Sequence, residues 1–597
     1  MTEQNYNQQM KNKFTVFFIL VVVGFLIFIS ILIYWTKIDR RLPQLQTSET
    51  SLAIRGNILS ADGYTLATSQ KLFKVMVDTR NISPDKKDLF IKLYTIYSGD
   101  DPKAVKERLD SRKGNVVLSY RIDSKTAEHL QTLARRLYKF GVFTSFEDPR
   151  TGIATPRGMS IVESGEVRVY PYKDALTPVL GYVKKIEQDA ITKVEGVKGL
   201  ERYYEDRLSP IQDAYLVGYR DISNAIILNK DARLKQKIDG QNIQISIPIK
   251  LQKSIENILD IEKKNLEAKE TLAIVMKSVT GEIVAFASSN RYSIGSIKKD
   301  EYSHLNIAAA EYSYEPGSVM KPIIYATLLR ENKVDPKEIV NVHGGRYTLG
   351  KYRVTDEVKK DWLAAEDVIT YSSNIGMLQL AQRLDGAAYY RGLVDFGFGE
   401  NSGVDLSKET KGYLQSVQRL NSDVYKGTIS YGYGISVNFL QLIRAFNVFN
   451  NDGKIVTPKI GIYVVDKNGT KNQLIRDDSV EIISPKIANE VRRLLTKVIM
   501  QGSGTKAFVK GVDIGGKTGT AHISAQGSYH SFYNSSFIGY ANDDEGDKYT
   551  IGILIIEPNT AGRRYFGSQS AAPIFAKVVT EMIEQGYIKQ NIAEVKE

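Results

Sequence analysis

The sequence of 597 residues contains no cysteine. This absence excludes a disulfide framework, a catalytic thiol and any cysteine-ligated zinc or iron–sulfur site, and it suits an oxidising, extracytoplasmic compartment. The five histidines form no H-E-x-x-H or similar cluster, so we expect neither a metal ion nor another cofactor. The net charge of +12 is spread along the chain without a basic block. Because RRM, zinc-finger and basic-zipper patterns are missing too, the charge does not indicate nucleic-acid binding.

Low-complexity tracts are also missing from the sequence. Hydrophobic residues make up 42% and charged residues 25% of the chain, which is the composition of a folded protein. Single hydrophobic cores stop growing at roughly 250–300 residues. The chain length of 597 residues therefore predicts at least two domains.

Residues 14–34 contain no charged side chain and match the ~30 Å hydrocarbon core of a bilayer in length. Tyr34 and Trp35, at the far end, suit a membrane interface. The stretch is longer than a signal-peptide core, and no small-x-small cleavage site follows it. We predict a retained anchor over residues 14–35 after a cytoplasmic tail of residues 1–13. A buried core helix is the alternative.

The charges beside this stretch do not determine its orientation. Lys11 and Lys13 precede it, whereas Lys37, Arg40 and Arg41 come after it, so the local count slightly opposes export of the C-terminal part of the chain. Long domains are exported despite such a small bias. Orientation therefore depends on the function of that C-terminal part.

The chain after the anchor predicts two parts. Residues 36–240 mix short strands with one helical pattern near residues 124–138, and they contain no catalytic constellation. Residues 55–67 indicate a hairpin around Asp62-Gly63. A composition change at residues 230–240 marks the boundary. We interpret the first part as a non-catalytic pedestal and residues 241–590 as a second domain.

The second domain has the pattern of an α+β fold with an antiparallel sheet flanked by helices. A strand, a helix with Pro248 in its first turn and a strand pair around Thr280-Gly281 come first. Helical stretches follow, and a further strand pair comes last. The predicted elements are residues 243–247 (strand), 248–262 (helix), 271–287 (strand pair), 536–541 and 549–557 (strands).

Ser318 and Lys321 form an S-x-x-K motif in a distinctive setting. Ser318 follows the turn signal Glu315-Pro316-Gly317 and opens a predicted helix over residues 318–330, where Pro322 is tolerated in the first turn. Two side chains three residues apart lie on one face of a helix. The N-terminus of a helix also offers free N–H groups where an oxyanion forms.

The same S-x-x-K pattern begins at Ser83, Ser296 and Ser503, so the pattern alone has little specificity. Ser83 precedes a proline and Ser296 lies in a segment rich in Gly and Lys. The context therefore favours Ser318 as the functional serine.

Two further motifs follow in order. Ser372-Ser373-Asn374 lies between helices predicted over residues 364–370 and 375–384, where it could equally be a helix cap. The S-x-N pattern also begins at Ser288 and Ser436. Lys517-Thr518-Gly519-Thr520 occurs once, ahead of the last strand pair, and its glycine allows a close backbone approach. The motifs lie 54 and 145 residues apart.

In this order the motifs resemble those of the penicilloyl-serine transferases, and of the class B penicillin-binding proteins among them. The blocks E-P-G-S-V-M-K-P (315–322), Y-S-S-N-I-G (371–376), S-Y-G-Y-G-I-S-V (430–437) and G-G-K-T-G-T-A (515–521) are similar to that family's. Upstream, R-G-N-I-L-S-A-D-G, R-V-Y-P and G-V-K-G-L-E-R-Y-Y-E-D-R-L are similar to its pedestal. The resemblance covers nearly the whole chain. Lys277 departs from it, since the family often has Asp there.

The resemblance implies a β-lactamase-like serine transpeptidase domain that follows a dimerisation-like pedestal. The implied activity is peptidoglycan D,D-transpeptidation at D-Ala–D-Ala stem peptides through a Ser318 acyl-enzyme, with β-lactams as covalent inhibitors. Lys321 has to be neutral to take the Ser318 proton, and burial and the Lys517 cation would both lower its pKa. Ser372 relays a proton, and Asn374 orients the substrate amide.

The K-T-G motif is implied to bind substrate. The backbone N–H groups of Ser318 and Thr520 would form the oxyanion hole. Thr518 and Thr520 would hold the terminal carboxylate beside Gly519, and Lys517 would supply positive charge.

Three other functions are alternatives to a transpeptidase. A class A β-lactamase needs a deacylating Glu, but neither Glu400 nor Glu409 lies in an E-x-x-L-N run, and class D enzymes resemble S-x-V where this chain has Asn374. A β-lactam sensor would have several spans. A bifunctional class A enzyme would have a glycosyltransferase block, which is not recognisable here.

Because no glycosyltransferase block is recognisable in the sequence, we expect partner proteins that make the glycan strands. By resemblance, these are a SEDS-family glycan polymerase and other divisome membrane proteins. The blocks around Ser318 and residues 430–437 look more like the septal branch of the family, of the FtsI or penicillin-binding protein 3 type, than the elongation branch. We expect a single-pass protein of the cytoplasmic (inner) membrane with its catalytic domain on the extracytoplasmic side.

Overall fold

A computed structural model describes residues 3–37, 46–144, 146–147, 154–155, 158–188, 191–219, 226–474, 479–525 and 528–591. Its first element, α1 (Glu3–Lys37), contains the predicted anchor. Within the described ranges it is the one helix long and apolar enough to cross a membrane, and none of that apolar stretch is buried in the protein. This exposure removes the alternative of a buried core helix and fits a single-pass anchor.

The N-terminal domain mixes strands and helices. Its strands are β1 (Gln46–Ser51), β2 (Ile58–Leu59), β3 (Thr65–Asp78), β4 (Asn115–Ile122), β5 (Phe146–Glu147), β6 (Ala154–Thr155), β7 (Met159–Val169), β8 (Val183–Gln188), β9 (Ile191–Gly196), β10 (Ala214–Tyr219) and β11 (Arg233–Lys235). Its helices are α2 (Lys87–Ser98), α3 (Pro102–Asp110), α4 (Ser124–Lys139), α5 (Thr177–Leu180), α6 (Gly199–Tyr203) and α7 (Glu205–Leu208).

The C-terminal domain is also mixed. Its helices are α8 (Ile249–Leu266), α9 (Ala308–Glu311), α10 (Lys321–Arg330), α11 (Ala365–Thr370), α12 (Asn374–Ala381), α13 (Gly386–Asp395), α14 (Asp423–Ser430), α15 (Phe439–Asn450), α16 (Pro485–Gln501) and α17 (Ala571–Glu584). Its strands are β12 (Asn242–Ile245), β13 (Glu270–Lys277), β14 (Ile283–Ser288), β15 (Ile339–Asn341), β16 (Arg346–Leu349), β17 (Tyr352–Thr355), β18 (Trp362–Ala364), β19 (Lys454–Ile455), β20 (Gly461–Val465), β21 (Lys471–Gln473), β22 (Val480–Glu481), β23 (Asp513–Ala525), β24 (Ser528–Asn542) and β25 (Lys548–Ile556).

The predicted hairpin near the start of the pedestal is confirmed, because β2 and β3 pair antiparallel around Asp62-Gly63. The predicted helix is α4. Helices α2 and α3 are not in the prediction. The α2 segment, K-D-L-F-I-K-L-Y-T-I-Y-S, is rich in Ile, Tyr and Thr, which favour strands as well. Together α2, α3 and α4 pack on β3 and β4 around a separate hydrophobic core.

The three pedestal segments that resemble the family contact one another through the buried carboxylate of Glu201. Glu201 accepts from Arg55 Nε and Arg168 Nε, both at 2.8 Å, and from the Tyr170 hydroxyl at 3.2 Å. Arg168 also donates to the carbonyl of Gly56 at 2.7 Å. A buried charge is tolerated only when it is paired and hydrogen-bonded. These contacts join three distant segments of the pedestal.

The two domains share a sheet. Strand β12 pairs parallel with β2 and antiparallel with β20, in the order β21-β20-β12-β2-β3-β7-β9-β8, with β4 beside β3. The predicted boundary near residue 240 directly precedes β12 and stays a prediction.

The centre of the C-terminal domain is a five-stranded antiparallel sheet in the order β14-β13-β25-β24-β23. Strands β13 and β25 are buried almost throughout, because α8 and α17 cover one face and α15 and α16 the other. The predicted α+β class with helices on an antiparallel sheet is confirmed.

Two local predictions, those for Pro248 and Ser318, need correction. Pro248 is the N-cap of α8 and not a first-turn residue. The K-T-G motif precedes the strand pair β24 and β25, as predicted, and it lies in a further edge strand, β23, that the sequence analysis does not predict. Ser318 lies in a 3-10 turn, Gly317–Met320, and α10 begins only at Lys321. Pro322 explains this turn: it has no N–H to donate to the Ser318 carbonyl, which accepts from Lys321 N–H instead.

Candidate active site

The three motifs line one cleft of about 570 Å³ between β23, the turn that contains Ser318 and the start of α12. Its walls include Ser318 from the first motif, Ser372 and Asn374 from the second, and Thr518 and Thr520 from the third. Within the described ranges, no group of His, Cys, Asp or Glu side chains is placed to hold a metal ion. The structure therefore brings together residues that lie up to about 200 positions apart in the sequence.

Ser318 is held by a glycine that tolerates no side chain. Gly317 has φ 64°, and a Cβ there would lie 2.8 Å from the Thr520 carbonyl oxygen. Residues i and i+3 of a 3-10 turn lie on the same side, so Ser318 and Lys321 are neighbours. Ser318 is half-buried and lines the cleft.

Lys321 is fully buried. Its Nζ donates to the Ser372 carbonyl at 2.5 Å and to Asn374 Oδ1 at 2.7 Å, and it lies 3.1 Å from Ser372 Oγ. Burial lowers the pKa of Lys321 to about 7, against the carboxylates of Asp356 and Glu357, which raise it. Such an amine is partly neutral at physiological pH.

Lys517 is the second buried amine. Its Nζ lies 2.8 Å from Ser372 Oγ and 3.3 Å from the Thr518 carbonyl. Burial lowers the pKa of Lys517 well below its ordinary value, and the charge of Lys321 adds to this effect. The expected influence of burial on Lys321 is thus present, and the repulsion between the two amines, which acts on both, appears in the lowered pKa of Lys517.

Ser372 connects the two lysines. Its hydroxyl lies within hydrogen-bonding distance of both amines. Its φ of 60° places it in the left-handed region, which is rare for residues other than Gly, Asn and Asp. Backbone strain of this kind is found most often at functional sites.

The neighbouring Ser373 is a helix cap. Its Oγ accepts from Gly376 N–H at 2.9 Å, which caps α12. The S-S-N segment is therefore both a helix cap and part of the cleft, each through a different serine.

Asp356 positions this segment, and no sequence motif marks it. It follows β17 and accepts from the N–H groups of Asn374, at 2.6 Å, and Ile375, at 3.1 Å, and from the Ser373 hydroxyl. Asn374 is further fixed by its Nδ2, which donates to the Thr355 carbonyl at 3.0 Å. The hairpin of β16 and β17 thus holds the amide oxygen of Asn374 against Lys321.

We predict that Asp356→Ala slows acylation at least about tenfold, because two partly buried N–H groups and a hydroxyl lose their acceptor. Asp356→Asn keeps an acceptor but removes the charge that raises the pKa of Lys321, so the pH midpoint of its acylation should fall below that of the unmodified protein. Stopped-flow acylation across pH measures both effects. Asp385→Ala, which removes the cap of α13, is the control and should leave the rate unchanged. An unchanged midpoint in Asp356→Asn would contradict the electrostatic role.

The K-T-G motif presses against the turn that contains Ser318. A Cβ on Gly519 would lie 2.3 Å from Ser536 Oγ and 3.1 Å from the Pro316 carbonyl. The Thr520 hydroxyl accepts from Gly567 N–H at 3.1 Å. The Thr518 hydroxyl lies 2.8 Å from Ser503 Oγ.

Ser503 is thus a cleft residue, which its sequence context does not indicate. Its S-x-x-K pattern makes it a competitor of Ser318 in the sequence, but its partner in the structure is Thr518 and not a lysine. Lys506 instead donates to Gln569.

The remaining serines that match S-x-x-K or S-x-N lie elsewhere or have structural partners. Ser83 precedes a 3-10 turn of the pedestal, and Ser296 ends a 3-10 turn outside the cleft lining. The Ser288 hydroxyl donates to Glu270, and Asn438 caps α15.

An aromatic wall, which the sequence motifs do not include, completes the cleft. It consists of His522, Tyr533, Tyr565 and Phe566, whose successive ring centroids lie 4.2–4.4 Å apart. His522 and Tyr533 are direct partners across β23 and β24. The sequence alone does not pair them, because their contact depends on the register of these two strands.

Comparison with known proteins agrees with the geometry. The family model "Penicillin binding protein transpeptidase domain" matches residues 271–580, which is more than half of the chain, and the model "Penicillin-binding Protein dimerisation domain" matches residues 50–245. Stage V sporulation protein D of Bacillus subtilis is 27% identical over 74% of this chain and 67% of that protein. Peptidoglycan D,D-transpeptidase FtsI of Buchnera aphidicola is 26% identical over 98% of this chain and 97% of that protein.

A solved structure shows the same fold. Penicillin Binding Protein 2X from Streptococcus thermophilus superposes with a TM-score of 0.73 at 21% identity, over 91% of this chain and 83% of that one. With both family models matched in the order of the class B type, the chain belongs to the class B penicillin-binding protein family and is an enzyme of the transpeptidase type.

Proposed function

We propose that this protein is a peptidoglycan D,D-transpeptidase that cross-links stem peptides through an acyl-enzyme on Ser318. The observation that carries the proposal is the pair of buried amines that share the Ser372 hydroxyl beside Ser318. An unassisted serine is a poor nucleophile and needs an adjacent base. Lys321, one turn away and with a pKa of about 7, meets that requirement.

In the proposed acylation, neutral Lys321 takes the Ser318 proton while Oγ attacks the carbonyl carbon of the D-Ala–D-Ala bond. The backbone N–H groups of Ser318 and Thr520 hold the developing oxyanion. Asn374 keeps Lys321 in place through its Oδ1 and orients the substrate amide.

The proton then has to reach the leaving amine. Ser372 Oγ lies between the two lysines, so it can pass a proton along the path that joins them. Two adjacent buried amines cannot both be cations at low cost, and the lowered pKa of Lys517 reflects this. Lys321 and Lys517 therefore act as a coupled pair that shares one proton.

The terminal carboxylate of the donor peptide decides which lysine holds that proton. We place the carboxylate against Thr518, Thr520 and Ser503, on the Lys517 side of the cleft and beside Gly519. A nearby anion raises the pKa of an amine. Substrate binding therefore places the proton on Lys517 and leaves Lys321 neutral, ready to act as base.

The acylation rate should rise about tenfold between about pH 6 and about pH 8, because the neutral fraction of a group with a pKa near 7 rises by that factor. Single-turnover acylation by a fluorescent penicillin measures it. The melting temperature at each pH is the control for unfolding. A rate that falls across this range would exclude Lys321 as the base.

Penicillin should also label the protein in intact cells when the reagent cannot cross the membrane. This result is expected if α1 anchors the chain in the cytoplasmic membrane with the catalytic domain outside. The adduct should persist, because transpeptidation needs an amine acceptor. Rapid release of the adduct would favour a β-lactamase.

We further propose a role in septal wall synthesis with a SEDS-family polymerase and other divisome proteins, since relatives named FtsI align over most of the chain. Depletion should give cells that lengthen without dividing, with a tagged copy at midcell. An unmodified copy should restore division, and a Ser318→Ala copy should not. Rounded cells with the tag along the side wall would show that the elongation branch is right and the septal one wrong.

A further inference from the structure

The sheet formed by β1, β10 and β11 follows the membrane anchor in the chain. Helix α1 ends at Lys37 and β1 begins at Gln46. Whatever path the chain takes between them, nine residue steps of at most about 3.6 Å keep Gln46 within about 32 Å of the end of the anchor.

The strand register shows which end of this sheet is nearest the anchor. Gln46 pairs with Tyr219, the last residue of β10, while Ser51 pairs with Ala214 at the opposite end. The chain returns to β11 through residues 226–232, which we call the hairpin tip. Ile227 N–H donates to the Tyr219 carbonyl at 2.7 Å, so the tip lies at the Gln46 end.

The hairpin tip holds large apolar side chains in water. Ile226 folds back over Gly218, but Leu228 is 75% exposed and Ile227 47% exposed. These side chains lie in an ordered turn. In it, Asn229 accepts from Asp231 N–H through its side chain and from Ala232 N–H through its carbonyl. Exposed apolar residues at an ordered tip are expected to be covered by a partner.

Cations surround these apolar side chains. Lys230, Arg233, Lys235 and Lys237 are exposed, against the single carboxylate of Asp231 in the same stretch. Lys237 pairs with Asp239, and Lys235 lies farther along β11, opposite Tyr215. Lys230 and Arg233 are therefore the cations beside the tip. Apolar side chains flanked by lysine and arginine are typical of protein surfaces that bind anionic membranes.

We propose that the hairpin tip inserts Leu228 and Ile227 into the head-group region of the membrane that holds α1, with Lys230 and Arg233 on the phosphates of anionic lipids. The inference rests on the anchor and on the register of the sheet, and not on the catalytic assignment. A second membrane contact fixes the tilt of the pedestal, and through the shared sheet it fixes the height of the catalytic cleft above the bilayer.

The absence of cysteine makes the test simple, because one introduced cysteine is the only thiol. The full chain carrying Leu228→Cys is reconstituted in nanodiscs of phosphatidylcholine, with or without phosphatidylglycerol, and labelled with an environment-sensitive fluorophore. Gln236→Cys, at the other end of the same sheet, and Ile96→Cys, which is 73% exposed on α2, are the controls.

We expect a blue-shifted emission at position 228 and several-fold stronger quenching by doxyl-labelled lipids there than at positions 236 and 96. Phosphatidylglycerol should increase the quenching. The double variant Lys230→Gln, Arg233→Gln in the Leu228→Cys background should lower the insertion equilibrium about 25-fold and remove the dependence on phosphatidylglycerol.

Equal quenching at all three positions in both lipids would overturn the proposal. If the fluorophore at position 228 is shielded from water only after a partner membrane protein is added to the same discs, the proposal is also overturned. A protein, and not lipid, would then cover the tip. The melting temperature of each labelled variant shows that the pedestal is folded, so a negative result counts against insertion.

Discussion

Ser318→Ala should reduce covalent labelling by penicillin more than about 10³-fold, because the variant lacks the nucleophile that all later steps need. The melting temperature should hardly change, since a half-buried hydroxyl at a cleft contributes little to stability. Mass spectrometry of the labelled, digested protein should find the adduct on the unmodified chain in the peptide that contains Ser318 and nowhere else.

Ser503→Ala is the matched control for this experiment. Like Ser318, Ser503 lies in the cleft and begins an S-x-x-K pattern, but its hydroxyl is hydrogen-bonded to the Thr518 hydroxyl. The variant should still acylate at Ser318, with weaker binding of ligands that carry a carboxylate. An adduct on Ser503 or Ser296 in the Ser318→Ala protein would show that another serine is the nucleophile.

The motif residues could be predicted from sequence because their signals are local. Ser318 and Lys321 need only one turn to become neighbours, and Gly317 and Pro322 mark that turn. The pairing of β24 and β25 follows from two strand patterns that are adjacent in the chain. Such signals are short in range and depend on few residues.

The residues that were missed depend on contacts between distant segments. Asp356 reaches the N-terminus of α12 only because the hairpin of β16 and β17 folds back on it. Ser503 enters the cleft because Gly502, at the end of α16, lies against the Thr370 carbonyl, where a Cβ would come within 2.3 Å. Neither segment carries a motif that indicates this approach. The parallel pairing of β12 with β2 across the two domains has the same origin.

The charges around the two lysines also depend on contacts between distant segments. Sequence order shows that Lys321 and Lys517 are candidates for one site. Burial lowers both pKa values, and the carboxylates that oppose this effect come from a segment that neither motif includes. The hairpin that ends at Asp356 brings two carboxylates towards Lys321, and both raise its pKa. For Lys517, the charge of Glu357 raises the pKa, whereas burial and the Lys321 cation lower it.

Arginine at these two positions should separate the roles of the lysines. Lys321→Arg should abolish acylation, a loss of more than about 10³-fold, because a guanidinium stays protonated and cannot take the Ser318 proton. Lys517→Arg keeps a cation beside the proposed carboxylate position, so a measurable fraction of the rate should remain. Single-turnover acylation measures both rates, and the melting temperatures show whether the larger side chain has disturbed the cleft. Equal losses in the two folded variants would contradict the division of roles.

The pH dependence of Lys517→Arg gives a second, independent check. In the unmodified protein, Lys517 can lose its charge because burial and Lys321 lower its pKa. An arginine there keeps its charge, and a permanent cation next to Lys321 lowers the pKa of Lys321 further. The pH midpoint of the acylation rate should therefore move below about 7. In the pH range where the unmodified protein loses activity on acidification, the residual rate of the variant should be nearly independent of pH. An upward shift would contradict the proposed repulsion between the charges at positions 321 and 517.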